Sequence, residues 1–239
     1  MIAFLRGVSC VFRGIPLLRL PGVRRYVIAP LLINLLMFVA LVGYGINRFA
    51  ELIAWIETLL PAWVSWLDWL LWPVFVVIVL LAGFIVCLLL ATLVAAPFTG
   101  PLAAAIETQL RGRAPTSERG FIAEGVAALA GEVRKLGYFA VRAGPLGLLA
   151  LIPGVNLIAA PLWLLFSAWM LALEYVEVPL GNHGHTFPAV RARLMQQPVP
   201  ALGFGATILL LTMIPFVNLL VIPVAVAGAT VLACEEHET

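Results

Sequence analysis

Four long runs of apolar residues constrain the fold of this chain more than any other feature of its sequence. They cover residues 26–46, 69–96, 144–173 and 199–234, and no charged residue interrupts them. The whole chain is 63% hydrophobic and 11% charged, whereas a soluble domain carries about 25% charged residues. A water-soluble core could not bury this much apolar surface. We therefore predict an all-α integral membrane protein, in which residues 1–239 form a single membrane domain.

The first two runs have the length of transmembrane helices. Residues 26–46 would form a helix of about 32 Å, enough to cross the hydrocarbon core of a bilayer. Residues 69–96 are longer and can cross with tilt. The intervening segment, 47–68, is rich in tryptophan, which favours the headgroup region. We predict that this segment is an interfacial loop with a short helix.

The third and fourth runs contain a repeated motif, I-P-x-V-N-L-[IL]-x-x-P, which begins at Ile152 and again at Ile214. Each run, 144–173 and 199–234, is too long for one crossing and too short for two. Proline ends a helix, and asparagine can bond the freed backbone groups. We predict two re-entrant helical hairpins, the alternative being two kinked spans. The residues expected at the turns are Pro153, Asn156, Pro215 and Asn218.

The distribution of basic residues predicts the orientation of these segments. Residues 1–25 contain five arginines and residues 97–143 contain six basic residues, whereas residues 47–68 contain only Arg48. Because positive residues stay on the cytoplasmic side, we expect both basic segments there and the tryptophan-rich loop in the periplasm. Both chain termini, with the loop 174–198, are then cytoplasmic.

Two cytoplasmic segments are expected to be helical. Residues 1–25 are predicted to form an amphipathic surface helix that Pro16 and Pro21 interrupt before the first span. A second helix is expected at residues 116–141, within the 97–143 region. Residues 235–239, which include three glutamates, are expected to be a solvated tail. The surface helix would place these residues in lipid: Ile2, Phe4, Leu5, Val8, Val11 and Phe12.

No motif in the sequence supports an enzyme. Walker A, HExxH and GxSxG patterns are absent, so we expect no catalytic residue and no cofactor. His183 and His185 lack a third ligand in their neighbourhood, which favours a surface loop over a metal site. The three cysteines are scattered, so we expect neither a disulfide framework nor a zinc site. A net charge of +2 predicts no nucleic-acid partner.

The strongest candidate binding site immediately precedes the first span. Gly22 permits a close backbone turn, Val23 follows it, and the N-terminus of the next helix carries a partial positive charge. Arg24 and Arg25 add two planar forks that suit a sulfate- or phosphate-sized anion. The alternative is that the two arginines only determine topology.

Two further groups of residues could line a charged path. Pro97 and Phe98 follow the second span, and Glu107 and Arg111 beyond them have the i, i+4 spacing of an ion pair. They form either a charged collar near the cytoplasmic mouth or a simple surface pair. Glu174 and Glu177 follow the first hairpin and could carry protons or merely mark the end of a helix. We expect Glu107, Glu174 and Glu177 to be the candidate proton carriers.

Together these segments resemble the CysZ sulfate permeases, bacterial inner-membrane proteins that supply sulfate for cysteine synthesis. The resemblance covers nearly the whole chain and includes both hairpin motifs, although that family more often has Asn at position 99 and Asp at position 177. The other matching residues are Leu20–Arg25, 95–102, Glu107, 175–179, Asn182, His183, Phe187 and Arg191.

The resemblance implies two long spanning helices, two hairpins that penetrate partway, and a homo-oligomer in the lipid bilayer. It also implies sulfate uptake, with sulfate bound at Gly22, Val23, Arg24 and Arg25. Coupling to protons remains open. Two alternatives also remain: a scaffold or assembly factor without transport, and a permease for sulfite or another tetrahedral oxyanion.

Overall fold

The computed structural model describes residues 2–59, 94–112, 121–152 and 154–235, with single positions at 73, 77 and 81. All regular structure in these residues is helical, as predicted. The helices are α1 (Ile2–Leu17), α2 (Arg24–Leu59), α3 (94–111), α4 (Phe121–Ala150), α5 (Asn156–Gly181), α6 (Phe187–Gln196), α7 (Pro198–Thr212) and α8 (Pro215–Glu235).

Two of the described helices are long and apolar enough to cross a membrane. The stretches are Arg24–Leu41 in α2 and Asn156–Gly181, which is the whole of α5. Helices α6 and α7, bent by 108° at the break between them, together pass the same test. These features confirm a helical membrane protein. Most of the predicted second span, 69–96, lies outside the described residues.

The chain divides into two compact units. The first comprises Met1–Val27 and Phe98–Thr239, and the second comprises Ile28–Pro97. In the second unit α2 continues to Leu59, so the predicted change from span to loop at residue 47 does not occur. The helix continues because no glycine or proline follows Gly45 until Pro61.

In the first unit, α1 packs against α7 and α8. Gly7 abuts the Pro200 carbonyl, and a Cβ added to Gly14 would lie 2.6 Å from the Gly228 nitrogen. Small residues of this kind let helix backbones approach closely. The prediction that α1 lies on the membrane surface is therefore wrong for one of its faces, because Val11, which was expected in lipid, is completely buried against protein. Hydrophobic patterning misses this contact, since glycines create it.

The opposite face of α1 remains exposed, as a surface helix requires. Ile2, Leu5 and Phe12 are all more than half exposed. At the other end of the chain, Glu235 pairs with Arg6 (Nε to Oε2, 3.1 Å) and with Arg13. Glu235 therefore belongs to the folded unit rather than to a solvated tail; the following residues, 236–239, lie outside the described part.

Both chain reversals of the two hairpins lie at the repeated motif. The first connects α4 to α5, where the nitrogens of Val155 and Asn156 donate to the Ile152 carbonyl at 3.1 and 3.2 Å. Gly154 has a φ of +85°, a conformation that favours glycine. Pro153 lies outside the described residues. The N-cap of α5, Val155, makes no side-chain capping bond, so main-chain bonds close this turn.

The second reversal connects α7 to α8. Helix α7 ends at Thr212, α8 begins at Pro215, and the Asn218 nitrogen donates to the Ile214 carbonyl at 2.8 Å. The 15 residues of α7 span about 22 Å, less than the roughly 30 Å of a hydrocarbon core. Helix α7 is thus too short to cross alone.

Several predicted boundaries shift because helices continue into the flanking polar segments. Helix α4 passes through Pro145 and ends at Ala150. The predicted boundary at residue 144, between the cytoplasmic helix region and the first hairpin, therefore lies inside a continuous helix. The segment predicted as a loop, 174–198, contains the end of α5 and all of α6. Helix α3 likewise extends through Pro97 and Pro101 without a break.

Candidate functional site

The link between α1 and α2 forms a glycine–arginine corner, which we define as Gly22, Val23, Arg24 and Arg25. Gly22 has a φ of +87°, and the nitrogens of Val23 and Arg24 both donate to the Leu20 carbonyl, at 3.1 and 3.2 Å. Val23 is completely buried and belongs to a cluster with residues of α3 and α8. The backbone of the corner is therefore fixed to the helices beneath it. The buried members of this cluster are Val23, Leu102, Ala103, Ile106, Val226 and Ala227.

The two arginines of the corner are exposed. Arg25 Nη2 donates to the Tyr26 hydroxyl at 2.8 Å, and its guanidinium carbon lies 4.7 Å from the Tyr26 ring centroid. Among the described residues, neither arginine is within ion-pair distance of a carboxylate. Two uncompensated guanidinium groups at the N-terminus of α2 form an arrangement that can bind an anion.

Glu107 is the centre of a second group, which we call the charged collar. Its side chain is 5% exposed, and Arg111 Nη1 lies 3.1 Å from Oε1. His183 Nε2 lies 2.9 Å from both carboxylate oxygens. Arg111 Nη2 also donates to the Cys234 carbonyl at 2.9 Å. The buried carboxylate is therefore well compensated, and the collar joins α3 to the turn after α5 through Glu107 and to α8 through Arg111.

The sequence indicated the Glu107–Arg111 pair but not its third member. We expected His183 in a surface loop, and its 76-residue separation from Glu107 leaves no local signal of their contact. Asn182 strengthens the same connection by donating from Nδ2 to the Gly100 carbonyl at 2.9 Å. Of the other predicted collar residues, Pro97 is exposed and Phe98 is half-buried in α3.

A small pocket opens beside the collar. The pocket has room for about one water molecule, so it is too small for a tetrahedral oxyanion. Any larger solute at this point would require movement of the side chains around it. The residues that line it are Glu107, Arg111, Pro179, Leu180, His183, Ala233 and Cys234.

Two of the three candidate proton carriers, Glu174 and Glu177, face a common lysine. Lys135 Nζ lies 2.8 Å from Glu174 Oε2, 2.9 Å from Glu177 Oε2 and 2.9 Å from Glu132 Oε1. Burial lowers the pKa of Lys135, but the hydrogen bonds to its carboxylate partners outweigh burial and raise that pKa above its usual value. The structure thus brings three carboxylates to one buried ammonium group, a contact between α4 and α5 that the sequence did not indicate.

Comparison with known proteins gives a consistent result. The model of the family described as sulfate transporter CysZ/etoposide-induced protein 2.4 matches residues 10–223. A sulfate transporter CysZ of Pseudomonas fluorescens (strain Pf0-1) is 42% identical, the match covering 98% of this chain and 94% of the relative. A sulfate transporter CysZ of Pseudomonas aeruginosa (strain LESB58) is 38% identical, covering 98% and 96%. A third, from Pectobacterium atrosepticum, is 41% identical, covering 97% and 85%.

Proposed function

Because the chain belongs to the sulfate transporter CysZ/etoposide-induced protein 2.4 family, we propose that it transports sulfate across a membrane. The matched region includes the glycine–arginine corner, the charged collar and both hairpin turns. Relatives named sulfate transporter CysZ match nearly the full length of the chain and are themselves matched over 85% or more of their own length. Transport of sulfate is the function that best accounts for these features.

We place the binding of sulfate at the glycine–arginine corner. The observation that supports this assignment is that Val23 is buried while the neighbouring Arg24 and Arg25 are exposed. A buried anchor beside exposed cations holds the charged groups in position before the anion arrives, which lowers the entropic cost of binding. The planar forks of the arginines can each donate two hydrogen bonds to a tetrahedral oxyanion.

We infer that the charged collar controls the passage of the anion. The carboxylate of Glu107 repels sulfate, while Arg111 offsets that charge and His183 forms a hydrogen bond with it. Because the adjacent pocket holds about one water molecule, passage requires the Arg111 guanidinium to leave the Cys234 carbonyl or the His183 ring to leave Glu107. Movement of Arg111 would expose a cation toward the solute, and movement of His183 would free its ring nitrogen for a hydrogen bond.

The charge of sulfate limits how the transporter can work. Moving a dianion against a potential of 100 mV costs about 4.6 kcal/mol, which corresponds to a few thousandfold ratio against entry. Uptake therefore needs rapid consumption of sulfate inside, abundant sulfate outside, or coupled protons. Glu174, Glu177 and Glu107 are the candidate proton carriers, and protonation of either of the first two would break an ion pair with Lys135. Sulfate uptake into vesicles with an imposed pH gradient tests coupling, and an uptake rate unaffected by the gradient excludes it.

The remaining features of the proposal concern its setting in the cell. We propose that the protein lies in the bacterial inner membrane as a homo-oligomer with both termini in the cytoplasm. The sulfate taken up would supply cysteine synthesis. Cysteine substitutions at exposed positions, labelled from one side of sealed vesicles, test the orientation of the termini.

The deciding experiment measures both binding and transport of labelled sulfate by purified protein in liposomes. Replacing Arg24 and Arg25 together by lysine keeps the charge but removes the planar forks, so we expect binding to fall at least tenfold. The matched control is Arg19→Lys, because Arg19 is an exposed arginine of the same connecting segment. Lysine variants that bind and transport normally would instead support a role of the two arginines in topology alone.

Selectivity is tested in the same preparation. Competition by selenate, molybdate, sulfite and phosphate distinguishes a sulfate transporter from a permease for another tetrahedral oxyanion. A preparation that neither binds nor passes any of these anions would support the scaffold alternative.

A further inference from the structure

Two guanidinium groups from different helices make cation–π contacts with the ring of Tyr138. The guanidinium carbon of Arg142 lies 3.9 Å from the ring centroid, and that of Arg191 lies 5.2 Å from it. Tyr138 itself is 9% exposed. Its hydroxyl accepts a hydrogen bond from Trp169 Nε1 at 3.0 Å, and its ring meets Phe187 edge-on with centroids 5.8 Å apart. The ring is therefore a fixed platform on which both cations rest.

Neither of these cations is neutralised by the part of the protein that the structure describes. Four other arginines, Arg6, Arg13, Arg48 and Arg111, pair with glutamates. Within the described ranges, no carboxylate lies within ion-pair distance of Arg142 or Arg191. Two like charges held on one ring repel each other, and an anion bound by both would remove that repulsion.

The separation of the two groups allows one anion to reach both when they lie on the same side of the ring. Both guanidinium carbons are measured from the same ring centroid, so they are at most about 9 Å apart, a limit that applies only with the ring between them. The central atom of a tetrahedral oxyanion lies about 4 Å from the carbon of a guanidinium that binds it. A shared anion site therefore requires both guanidinium groups to lie on one side of Tyr138.

The position of the pair along the chain indicates what kind of anion is available. Arg142 is the last charged residue before the uncharged segment 143–173, which forms the first hairpin. Beside and beyond it, Val141, Leu148 and Leu151 are exposed by 72%, 67% and 78%, as lipid-facing residues are. Tyr138 and Trp169 are the residue types that lie at the headgroup level. The arginine pair is thus at the boundary where lipid phosphates lie.

We propose that Arg142 and Arg191, presented on Tyr138, form a binding site for a tetrahedral oxyanion that is separate from the glycine–arginine corner. The boundary position favours the phosphate of an anionic lipid headgroup over a free anion. Such a headgroup would connect α4 and α6 and hold the base of the first hairpin at the membrane surface.

The test measures retention of lipid by the purified full-length chain. Detergent-solubilised protein is given equal amounts of phosphatidylglycerol and phosphatidylcholine, and bound lipid is quantified by native mass spectrometry. Arg142→Gln and Arg191→Gln are each expected to lower the preference for phosphatidylglycerol about fivefold, and the double variant about 25-fold. Arg134→Gln is the control, because Arg134 is an exposed arginine of the same helix.

A second arm distinguishes the source of the oxyanion. Inorganic phosphate and sulfate are titrated, without added phosphatidylglycerol, into the wild-type chain and the double variant, and thermal stabilisation is measured. Arginine-dependent binding in either arm supports the site and identifies its ligand as a lipid or a free anion. Equal retention of both lipids by the wild-type chain, together with equal response of wild type and double variant to the free anions, would overturn the proposal. Unchanged sulfate binding at the corner is expected in all these variants.

Discussion

Replacing Gly14 by alanine is expected to force α1 away from α8. The new Cβ would lie 2.6 Å from the Gly228 nitrogen and 2.8 Å from the Ala227 carbonyl carbon, whereas ordinary carbon contacts are about 3.5–4.0 Å. Because both neighbours are backbone atoms, no side-chain rotation relieves the overlap. The two helices must therefore separate by roughly 1 Å, or one of them must bend.

The cost follows from that displacement. Forcing an additional methyl group into a packed interior costs about 1–3 kcal/mol, and for a chain of this size each kcal/mol lowers Tm by about 2–4 °C. We expect Tm to fall by about 2–12 °C for Gly14→Ala. The assay is thermal unfolding of the purified protein in detergent, followed by intrinsic fluorescence from the seven tryptophans.

Gly137→Ala provides the matched control. Gly137 is also a helical glycine, in α4, and among the described residues no atom beyond its chain neighbours and its own helical backbone lies within 4 Å of the position that its Cβ would take. Alanine there gains helix propensity, so Tm should stay the same or rise. The packing argument for α1 would be refuted if Gly14→Ala unfolded at the wild-type temperature. It would also be refuted if the two variants lost equal stability.

Three further predictions concern charged groups. Glu107→Gln should lower stability by about 1–3 kcal/mol, because Arg111 and His183 lose a buried charged acceptor; the exposed Glu51→Gln should leave Tm within 2 °C, and equal effects would contradict the collar. Lys135→Met should cost about 3–5 kcal/mol by leaving its carboxylates uncompensated, measured by denaturant unfolding; a neutral result would contradict the ion-pair cluster. The third prediction concerns pH: burial raises the pKa of Glu235, but hydrogen bonds from two arginines outweigh burial and lower it. Its stabilising effect is therefore full above the unfolded-state pKa and is lost as pH falls through the lowered folded-state pKa. The Tm difference between wild type and Glu235→Gln should thus be constant from pH 7 to about pH 5 and shrink only as pH falls below the ordinary pKa of 4.5; a difference that stays constant as pH falls further would contradict this assignment.

Local signals in the sequence predicted much of the fold. The uncharged runs required a membrane protein, and the repeated I-P-x-V-N-L motif marked the two reversals, which lie between Ala150 and Asn156 and between Thr212 and Pro215. The predicted turn residues Asn156 and Asn218 are instead the first residue of α5 and a residue in the first turn of α8. The start of α2 at Arg24, after the left-handed Gly22, also agrees with the corner expected from the sequence. Each of these features depends on residues within one or two turns of a helix, so short patterns are sufficient to indicate them.

The ends of the helices were less well predicted. An apolar run indicates which part of the chain lies in the membrane, but it does not indicate the residue at which a helix ends. Polar residues on either side of a run are good helix formers, and α2, α4 and α5 all continue through them. Prolines at 97, 101 and 145 did not end their helices. A proline at such a position loses one backbone bond, which packing of the remaining helix can offset.

The sequence by itself determined that the chain is a helical membrane protein, where it turns and which cations precede the first span. Tertiary structure alone decided which side chains meet: His183 with Glu107, Lys135 with Glu174 and Glu177, and α1 with α7 and α8. These contacts join residues 39 or more positions apart. Their partners depend on the rotation and close approach of whole helices, and these are set by packing across the entire unit rather than by any local pattern.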